Sequence, residues 1–181
     1  YILRNVYYDA VGELYAYIKD NIGDMDFNNH NIMKLGFWPG GDRDGNPFVT
    51  SSITKDVANE LRITLMKCYY HDIKKLQQKL TFRDLQDIIS NLRGRLYNTM
   101  FDASTVMRYD EIIEPLLEIR SMLIGKYNKL YLKDLDHLID KVKIFRTHFA
   151  TLDIRQDHSV HIQVVEAILK ANGLISENIG E

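Results

Sequence analysis

Residues 132–145 read LKDLDHLIDKVKIF and form the most regular hydrophobic pattern in the chain. Apolar side chains recur every three or four positions, which places them on one face of an α-helix, while charged side chains fill the other positions. The pattern therefore predicts a helix over the whole stretch. Its apolar members are Leu132, Leu135, Leu138, Ile139, Val142 and Phe145.

Five further segments have helical periodicity and predict a mainly α protein. The first runs from Ile2 to Ile18 and ends in the polar stretch 21–31. The second is a long helix that starts at one of the hydroxyl residues 50–52 and ends near Gln78. The other three contain the apolar sets of residues 85–96, 112–123 and 160–169, and Gly173 closes the last one. Pro115 is expected early in its helix, where a missing N–H costs little.

Two short apolar runs, Ile32–Trp38 and Phe149–Arg155, are typical of buried strands, and each ends in a charged loop. Two strands about a hundred residues apart need more strands or extensive helix cover to form a stable sheet. The sequence thus predicts a bundle of helices with two short strands that is part of a larger protein.

Composition limits the classes of protein to which the chain can belong. It has 181 residues, 45% of them hydrophobic, and a formal net charge of −2, which provides no bulk attraction to nucleic acid or anionic lipid. No segment approaches the roughly 20 continuous apolar residues of a membrane span. The single cysteine, Cys68, lies in an apolar stripe and is expected in the core; a reducing, cytoplasmic compartment is the simplest inference.

The first candidate site is the loop at residues 39–47, which reads PGGDRDGNP. Its glycines let the backbone approach a ligand, and Arg43 offers a planar fork for phosphate or carboxylate. The alternative is a surface turn in which Asp side chains cap their own backbone amides. A calcium-binding loop is a poor match, because the later oxygen ligands of such a loop are missing. Trp38 could form an apolar wall of the site or simply pack beneath it.

The second candidate site is the segment LDIRQD at residues 152–157. Alternation along a strand places Asp153 and Arg155 on the same side. Burying a guanidinium without a partner is costly, so Arg155 either pairs with Asp153 or another acid, or faces a charged ligand. None of the six histidines forms a metal signature, and His158 and His161 are expected to be a solvated pair.

Two motifs resemble those of the phosphoenolpyruvate carboxylases. Residues 37–50 resemble the family's G-G-D-R-D-G-N-P-x-V-T motif, with a core of eight matching residues, and residues 152–156 resemble its L-D-I-R-Q strand at a similar separation. Weaker likeness lies between them, at residues 91–96 and 114–116, so the resemblance spans most of the chain. Pro39 and the pair Asp157-His158 depart from the usual residues of the family.

The resemblance implies an anaplerotic lyase of the cytoplasm that fixes carbon dioxide as bicarbonate. Such enzymes add bicarbonate to phosphoenolpyruvate, giving oxaloacetate for the tricarboxylic acid cycle and phosphate, with Mg²⁺ or Mn²⁺. Their fold is a (β/α)₈ barrel, also called a TIM barrel, with many extra helices, and they assemble as homotetramers. Catalytic groups of such barrels lie on loops at the carboxyl ends of the strands.

By motif match, Arg155 is implied to bind the substrate phosphate, and Arg43 to act with it as the second catalytic residue. The resemblance implies that the neighbouring motif residues bind substrate as well: Trp38, Gly40, Gly41, Asp42, Asp44, Asn46, Asp153 and Gln156. No metal ligand is expected within the chain.

The family's T-A-H-P-T histidine motif, its Gly-Arg-rich mobile loop and its metal-binding carboxylates are absent from these 181 residues. We therefore expect residues 1–181 to be one internal fragment of a longer carboxylase and to be inactive alone, because the chemistry needs a cation that the fragment does not hold. The alternative is a non-catalytic helical interaction module that keeps carboxylase-like motifs as structural turns.

Overall fold

The computed structural model describes residues 1–22, 29–44, 46–102 and 105–175. Part of the predicted turn-rich stretch, residues 23–28, and Gly45 of the glycine loop lie outside these ranges. None of the helices in the described ranges combines the length and apolar character needed to cross a membrane. The helices and strands, after a π-helical segment Leu3–Tyr7, are α1 Tyr8–Asn21, β1 Gly36–Phe37, α2 Ser51–Lys79, α3 Arg83–Phe101, α4 Tyr109–Lys126, α5 Leu132–Phe145, β2 Thr151–Leu152 and α6 His158–Ala171.

The chain divides into two compact units. The first comprises residues 1–35 and 59–151, and the second comprises residues 36–58 and 152–181. In the first unit α4 packs against α5 and α3, and α1 packs against α5. The core of this unit consists of side chains at most 1% exposed, among them Leu65, Leu85, Ile89, Leu92, Leu96, Ile112, Leu116, Leu135 and Val142. Burial of each such side chain contributes about 1.5–3 kcal/mol.

Helix α5 has the bounds that its hydrophobic pattern predicts, Leu132–Phe145, and the prediction is confirmed. Its face toward the core also carries two charged residues, Asp140 and Lys141, which are 8% and 4% exposed. The Lys141 ammonium lies 2.9 Å from a carboxylate oxygen of Asp9 and 3.0 Å from one of Asp72. These ion pairs offset the cost of burying the charge, which would be several kcal/mol for an unpaired group.

The position of Pro115 differs from the prediction. Helix α4 begins at Tyr109, where the Glu111 side chain accepts a hydrogen bond from the backbone N–H of Arg108 at 2.7 Å. Pro115 therefore lies in the second turn and cannot donate to the carbonyl of Glu111, a loss of about 3 kcal/mol in a helix interior. The expectation that its missing N–H costs little is wrong, because the polar residues before the apolar stripe already belong to the helix. Complete burial of Leu116 and Ile119 helps to offset the loss.

The two strands lie where the sequence predicts them but are only two residues long. The backbone N–H of Thr151 donates to the carbonyl of Leu35 at 2.8 Å, and that of Asp153 donates to Phe37 at 2.9 Å, which is the pattern of a parallel pair. The pairing is interrupted after Phe37 because the chain turns, with the N–H of Gly41 donating to the carbonyl of Trp38 at 2.9 Å.

Helix α6, the predicted last helix, is capped by Asp157, whose side chain accepts a hydrogen bond from the backbone N–H of Ser159 at 2.8 Å. The hydroxyl of Ser159 also donates to this carboxylate, and the two bonds lower the pKa of Asp157. No residue of α6 is fully buried. Four of its apolar side chains are exposed: Ile162, Val164, Val165 and Ile168.

Candidate functional site

The two motif segments are joined through their backbones within the second unit. After the turn at Trp38, the N–H of Arg155 donates to the carbonyl of Gly41 at 2.9 Å, and the N–H of Arg43 donates to the carbonyl of Arg155 at 2.8 Å. Asp42 and Arg155 form an isolated parallel bridge. Residues about a hundred positions apart in the chain thus lie side by side.

Glycine is required at two positions of the loop. Gly40 has φ +80°, and a Cβ added there would lie 2.6 Å from Cγ2 of Val57. A Cβ on Gly41 would lie 2.0 Å from the carbonyl oxygen of Asp153, a backbone atom that cannot move alone. These glycines therefore permit the close approach of the two segments, as well as the turn.

Thr54, in the first turn of α2, fixes the Arg43 side chain. Its hydroxyl oxygen accepts hydrogen bonds from Nη2 of Arg43 at 2.7 Å and from Nε at 3.3 Å. The same hydroxyl donates to the carbonyl of Gly40 at 2.8 Å, and Thr54 is only 7% exposed. No hydrogen bond joins Nη1 of Arg43 to a described residue. The guanidinium is thus held along one edge and keeps donors for an anion.

Thr54 is not among the predicted site residues, although the sequence contains a signal for it. It lies three residues before Val57 and seven before Leu61, so it extends the buried stripe of α2 by one turn. A hydroxyl residue at a buried helical position must find a hydrogen-bond partner, and here the partners are the loop's arginine and its glycine carbonyl.

Arg155 pairs with Asp42 rather than with Asp153. Its Nε lies 4.0 Å from Oδ1 of Asp42, a distance that allows an ion pair but is too long for a hydrogen bond. That oxygen is buried and has no hydrogen-bond donor among the described residues. The Arg155 side chain is 64% exposed, so the expectation of a buried guanidinium is wrong. The short strand ends before Arg155 and leaves it uncovered.

The remaining predicted residues have separate positions. Asn46 forms a capped turn in which its side-chain oxygen accepts a hydrogen bond from the N–H of Phe48 at 3.1 Å, whereas the structural alternative assigned such caps to the Asp side chains. Asp44 is exposed, and so is Asp153, which lies beside Gly36. The side-chain oxygen of Gln156 accepts a hydrogen bond from the N–H of Asp157 at 3.1 Å. Trp38 is 60% exposed and therefore does not pack beneath the loop.

The described residues do not fit a divalent metal ion by themselves. Among them, no group of three or more histidine, cysteine, aspartate or glutamate side chains is arranged to hold a metal ion. Mg²⁺ prefers six oxygen ligands in near-octahedral geometry, and the unpaired carboxylate oxygen of Asp42 supplies one. Arg155 lies beside Asp42, whereas the Arg43 side chain is directed to Thr54.

Comparison with known proteins places the chain in a family. The family model for phosphoenolpyruvate carboxylase matches residues 1–105 and 89–178. The chain is 27% identical over 172 residues to the phosphoenolpyruvate carboxylase of Shewanella sediminis, covering 78% of the chain and 20% of that protein. It is 28% identical over 170 residues to that of Aeromonas salmonicida, covering 78% of the chain and 19% of that protein.

A third carboxylase, from Shewanella loihica, is 26% identical over 196 residues, covering 92% of the chain and 22% of that protein. The chain thus spans about a fifth of the length of these relatives. The two matches to the family model together cover nearly the whole sequence. They include both the glycine loop and the strand segment that pairs with it. The chain belongs to the phosphoenolpyruvate carboxylase family.

Proposed function

We propose that this chain is an internal part of an enzyme that adds bicarbonate to phosphoenolpyruvate, giving oxaloacetate and phosphate. The observation that carries the proposal is the backbone pairing of the two motif segments, in which Arg43 donates to the carbonyl of Arg155 at 2.8 Å. This pairing holds the backbones of the family's two arginine-containing motifs side by side in the second unit. Phosphoenolpyruvate carries both a phosphate and a carboxylate, and each can accept paired hydrogen bonds from an arginine.

In this proposal Arg155 binds the substrate phosphate. Its guanidinium is exposed, and its one ion pair in the described chain, to Asp42, is long, so it remains available to a stronger anion. Arg43 is positioned in advance by Thr54, which reduces the entropy lost when the arginine binds substrate. Gly40 and Gly41 let the loop backbone approach the ligand. The other proposed substrate-binding residues are Trp38, Asp42, Asp44, Asn46, Asp153 and Gln156.

The proposal includes parts of the enzyme beyond this sequence. Mg²⁺ or Mn²⁺ would stabilise negative charge on the reacting oxygens, and we place its ligands outside these 181 residues. We further propose a (β/α)₈ barrel assembled as a homotetramer that acts in the cytoplasm as an anaplerotic enzyme. Because metal ligands and the histidine motif would come from elsewhere, residues 1–181 alone should be inactive.

The test is the steady-state kinetics of the full-length protein encoded by the same gene, with Arg155→Gln compared with the wild type. Loss of a charge-assisted hydrogen bond costs about 1.5–3 kcal/mol, so KM for phosphoenolpyruvate should rise at least about tenfold, or turnover should vanish. Arg83→Gln, a change at an exposed arginine of α3, is the matched control and should leave KM unchanged. An unaltered KM in Arg155→Gln would refute the phosphate role.

A separate measurement tests the fragment. The purified 181-residue chain, given phosphoenolpyruvate, bicarbonate and Mg²⁺, should produce no oxaloacetate. Robust turnover would contradict the proposal that essential parts lie elsewhere, and would leave the role of Arg155 standing.

The second candidate is a non-catalytic interaction module that keeps the motifs as structural turns. The capped turn at Asn46 favours it, because this turn satisfies polar groups of the loop without a ligand. The gene sequence on both sides of this segment distinguishes the two candidates. The histidine motif upstream and the Gly-Arg loop downstream are expected for the enzyme, and their absence from the full gene would favour the module.

A further inference from the structure

A cavity of about 290 Å³ lies in the first unit, among residues that precede the two strands in the chain. One side is formed by residues 30–35, before β1, and the other by residues 144–151, at the end of α5 and the start of β2. Typical small-molecule pockets measure about 300–1,000 Å³. The cavity lies at the lower limit of this range, which suits a ligand of a few atoms and excludes a large cofactor.

Positive charge dominates the lining of this cavity. Lys34, Arg146 and His148 line it, and among the described residues no aspartate or glutamate does. His30 also lines it, but its Nε2 lies 3.0 Å from Asp140. In the described part of the chain, Lys34 and Arg146 have no carboxylate within ion-pair distance. Two cations thus share a cavity in which no described carboxylate pairs with them.

Arg146 is fixed in place by its surroundings. It ends α5 with φ 52°, a left-handed conformation that costs a residue other than glycine about 1–3 kcal/mol. Its N–H donates to the carbonyl of Val142 at 2.9 Å, and its own carbonyl accepts a hydrogen bond from the hydroxyl of Tyr69 at 2.9 Å. These bonds hold the backbone conformation from which the side chain extends to the cavity.

The guanidinium of Arg146 is oriented by an aromatic ring. Its central carbon lies 5.5 Å from the centroid of the Tyr109 ring. Such a contact attracts the guanidinium to the ring without using its N–H donors in hydrogen bonds. No side-chain donor of Arg146 is hydrogen-bonded to a described residue.

Apolar residues complete the lining. They are Leu35, Ile144, Phe149 and Ala150, and Phe149 is only 2% exposed. Lys34, Arg146 and His148 are themselves exposed, so the cavity is open to ions from solvent. We propose that this cavity is a second anion site, which binds a small phosphate group through Arg146 and Lys34, with His148 as a further donor.

The site uses none of the residues proposed to bind substrate, so its test starts from a protein in which that region is silenced. In the 181-residue chain carrying Arg43→Gln and Arg155→Gln, calorimetric titration with inorganic phosphate should still show binding that chloride at equal ionic strength does not produce. Adding Lys34→Gln and Arg146→Gln should weaken the affinity at least about tenfold, because two charge-assisted contacts are lost. Unchanged affinity would overturn the proposal.

Matched controls and a second probe sharpen this result. Lys133→Gln removes an 85% exposed lysine of α5 and should leave phosphate affinity unchanged. Tighter binding of methyl phosphate than of inorganic phosphate would indicate a phosphate group carried on an organic molecule, whereas the reverse order would indicate free phosphate. Binding of neither probe in the silenced protein would overturn the proposal.

A measurement on the unaltered chain avoids any effect of the substitutions on folding. Phenylglyoxal modifies exposed arginine side chains, and the modified peptide that contains Arg146 can be quantified by mass spectrometry. Phosphate should slow modification of Arg146 severalfold, whereas modification of Arg108, an exposed arginine outside the cavity, should be unaffected. An unchanged rate at Arg146 would contradict the proposal.

Discussion

The guanidinium of Arg43 donates two hydrogen bonds to the hydroxyl of Thr54, at 2.7 and 3.3 Å. Because that hydroxyl also donates to the carbonyl of Gly40, one side chain of α2 connects the arginine to the turn beside it. The glycine loop is thus part of a small polar network that includes the start of α2. Any change at Thr54 is expected to affect both the loop backbone and the arginine.

Thr54→Val should therefore lower the stability of the chain and disturb Arg43. The substitution keeps the shape of the side chain but leaves a buried carbonyl and two N–H donors without their partner, at a cost of about 1–3 kcal/mol. Urea unfolding of wild type and variant measures this loss. Thr54→Ser keeps the hydroxyl and should retain most of the stability; if Thr54→Ser and Thr54→Val lose the same amount, the hydroxyl is not the cause.

Gly41→Ala should be strongly destabilising, because the added methyl group would lie 2.0 Å from the backbone oxygen of Asp153. The two segments must move apart, and the hydrogen bond from Arg155 to the carbonyl of Gly41 is lost with others, so we expect a loss of more than about 2 kcal/mol.

Gly94→Ala is the control for Gly41→Ala. Gly94 lies within α3 with nothing within 4 Å of an added Cβ, and alanine there should stabilise the helix by about 0.5–1 kcal/mol. Thermal unfolding of both variants shows the contrast. Equal behaviour of the two would mean that the close approach at Gly41 does not exist.

The stability of the chain should fall as the pH decreases from about 7 to about 5. Burial, followed by the positive charge of Lys141, lowers the pKa of His137, and burial with the charge of Arg4 lowers that of His71. Each imidazole is thus kept neutral in the folded state. In the unfolded chain the same imidazoles take up protons as the pH falls below their ordinary pKa of 6.5. Protons therefore favour the unfolded state, and stability is lost below that pH.

His137→Gln should reduce the dependence of stability on pH in this range. The free energy of unfolding, measured in urea at a series of pH values, is expected to change less between pH 7 and pH 5 than in the wild type, because one of the two shifted groups is gone. His161→Gln, at an exposed position of α6, is the control. If the free energy of unfolding of His137→Gln changes with pH as much as that of the wild type, His137 does not cause the pH dependence.

Cys68 should react slowly in the folded chain. Burial raises the pKa of its thiol to about 12, and the residue is 4% exposed, so the reactive thiolate is scarce and enclosed. We expect alkylation by iodoacetamide at pH 8 to be at least about a hundredfold slower in the folded chain than in urea. Comparable rates in both states would show that the thiol is accessible.

The helices could be predicted well because their apolar spacing is a local property of the sequence. The stripe from Leu132 to Phe145 gave both ends of α5, and the long helix predicted from residues 50–52 to about Gln78 is α2, Ser51–Lys79. Pro115 lies further inside its helix than the apolar spacing predicts, since the start of α4 depends on the Glu111 side chain as well as on the apolar positions.

The strands and the site depend on contacts that no local pattern contains. Apolar runs indicated where β1 and β2 lie. They did not indicate that each strand has only two residues, because the pairing stops at a turn in which the N–H of Gly41 donates to the carbonyl of Trp38. The bridge between Asp42 and Arg155 and the bond from Arg43 to Thr54 join residues through tertiary structure. Resemblance could suggest that the two motifs share a site, but it could not identify Thr54.

The pairing of Gly41 and Arg43 with Arg155 has a consequence for the order of events during synthesis. The glycine loop leaves the ribosome about a hundred residues before the segment that it pairs with. At about 5–20 residues per second, the loop waits roughly 5–20 s without its partner. The helices between the two segments can form during that interval, since they need only local contacts, so the arginines are brought together last.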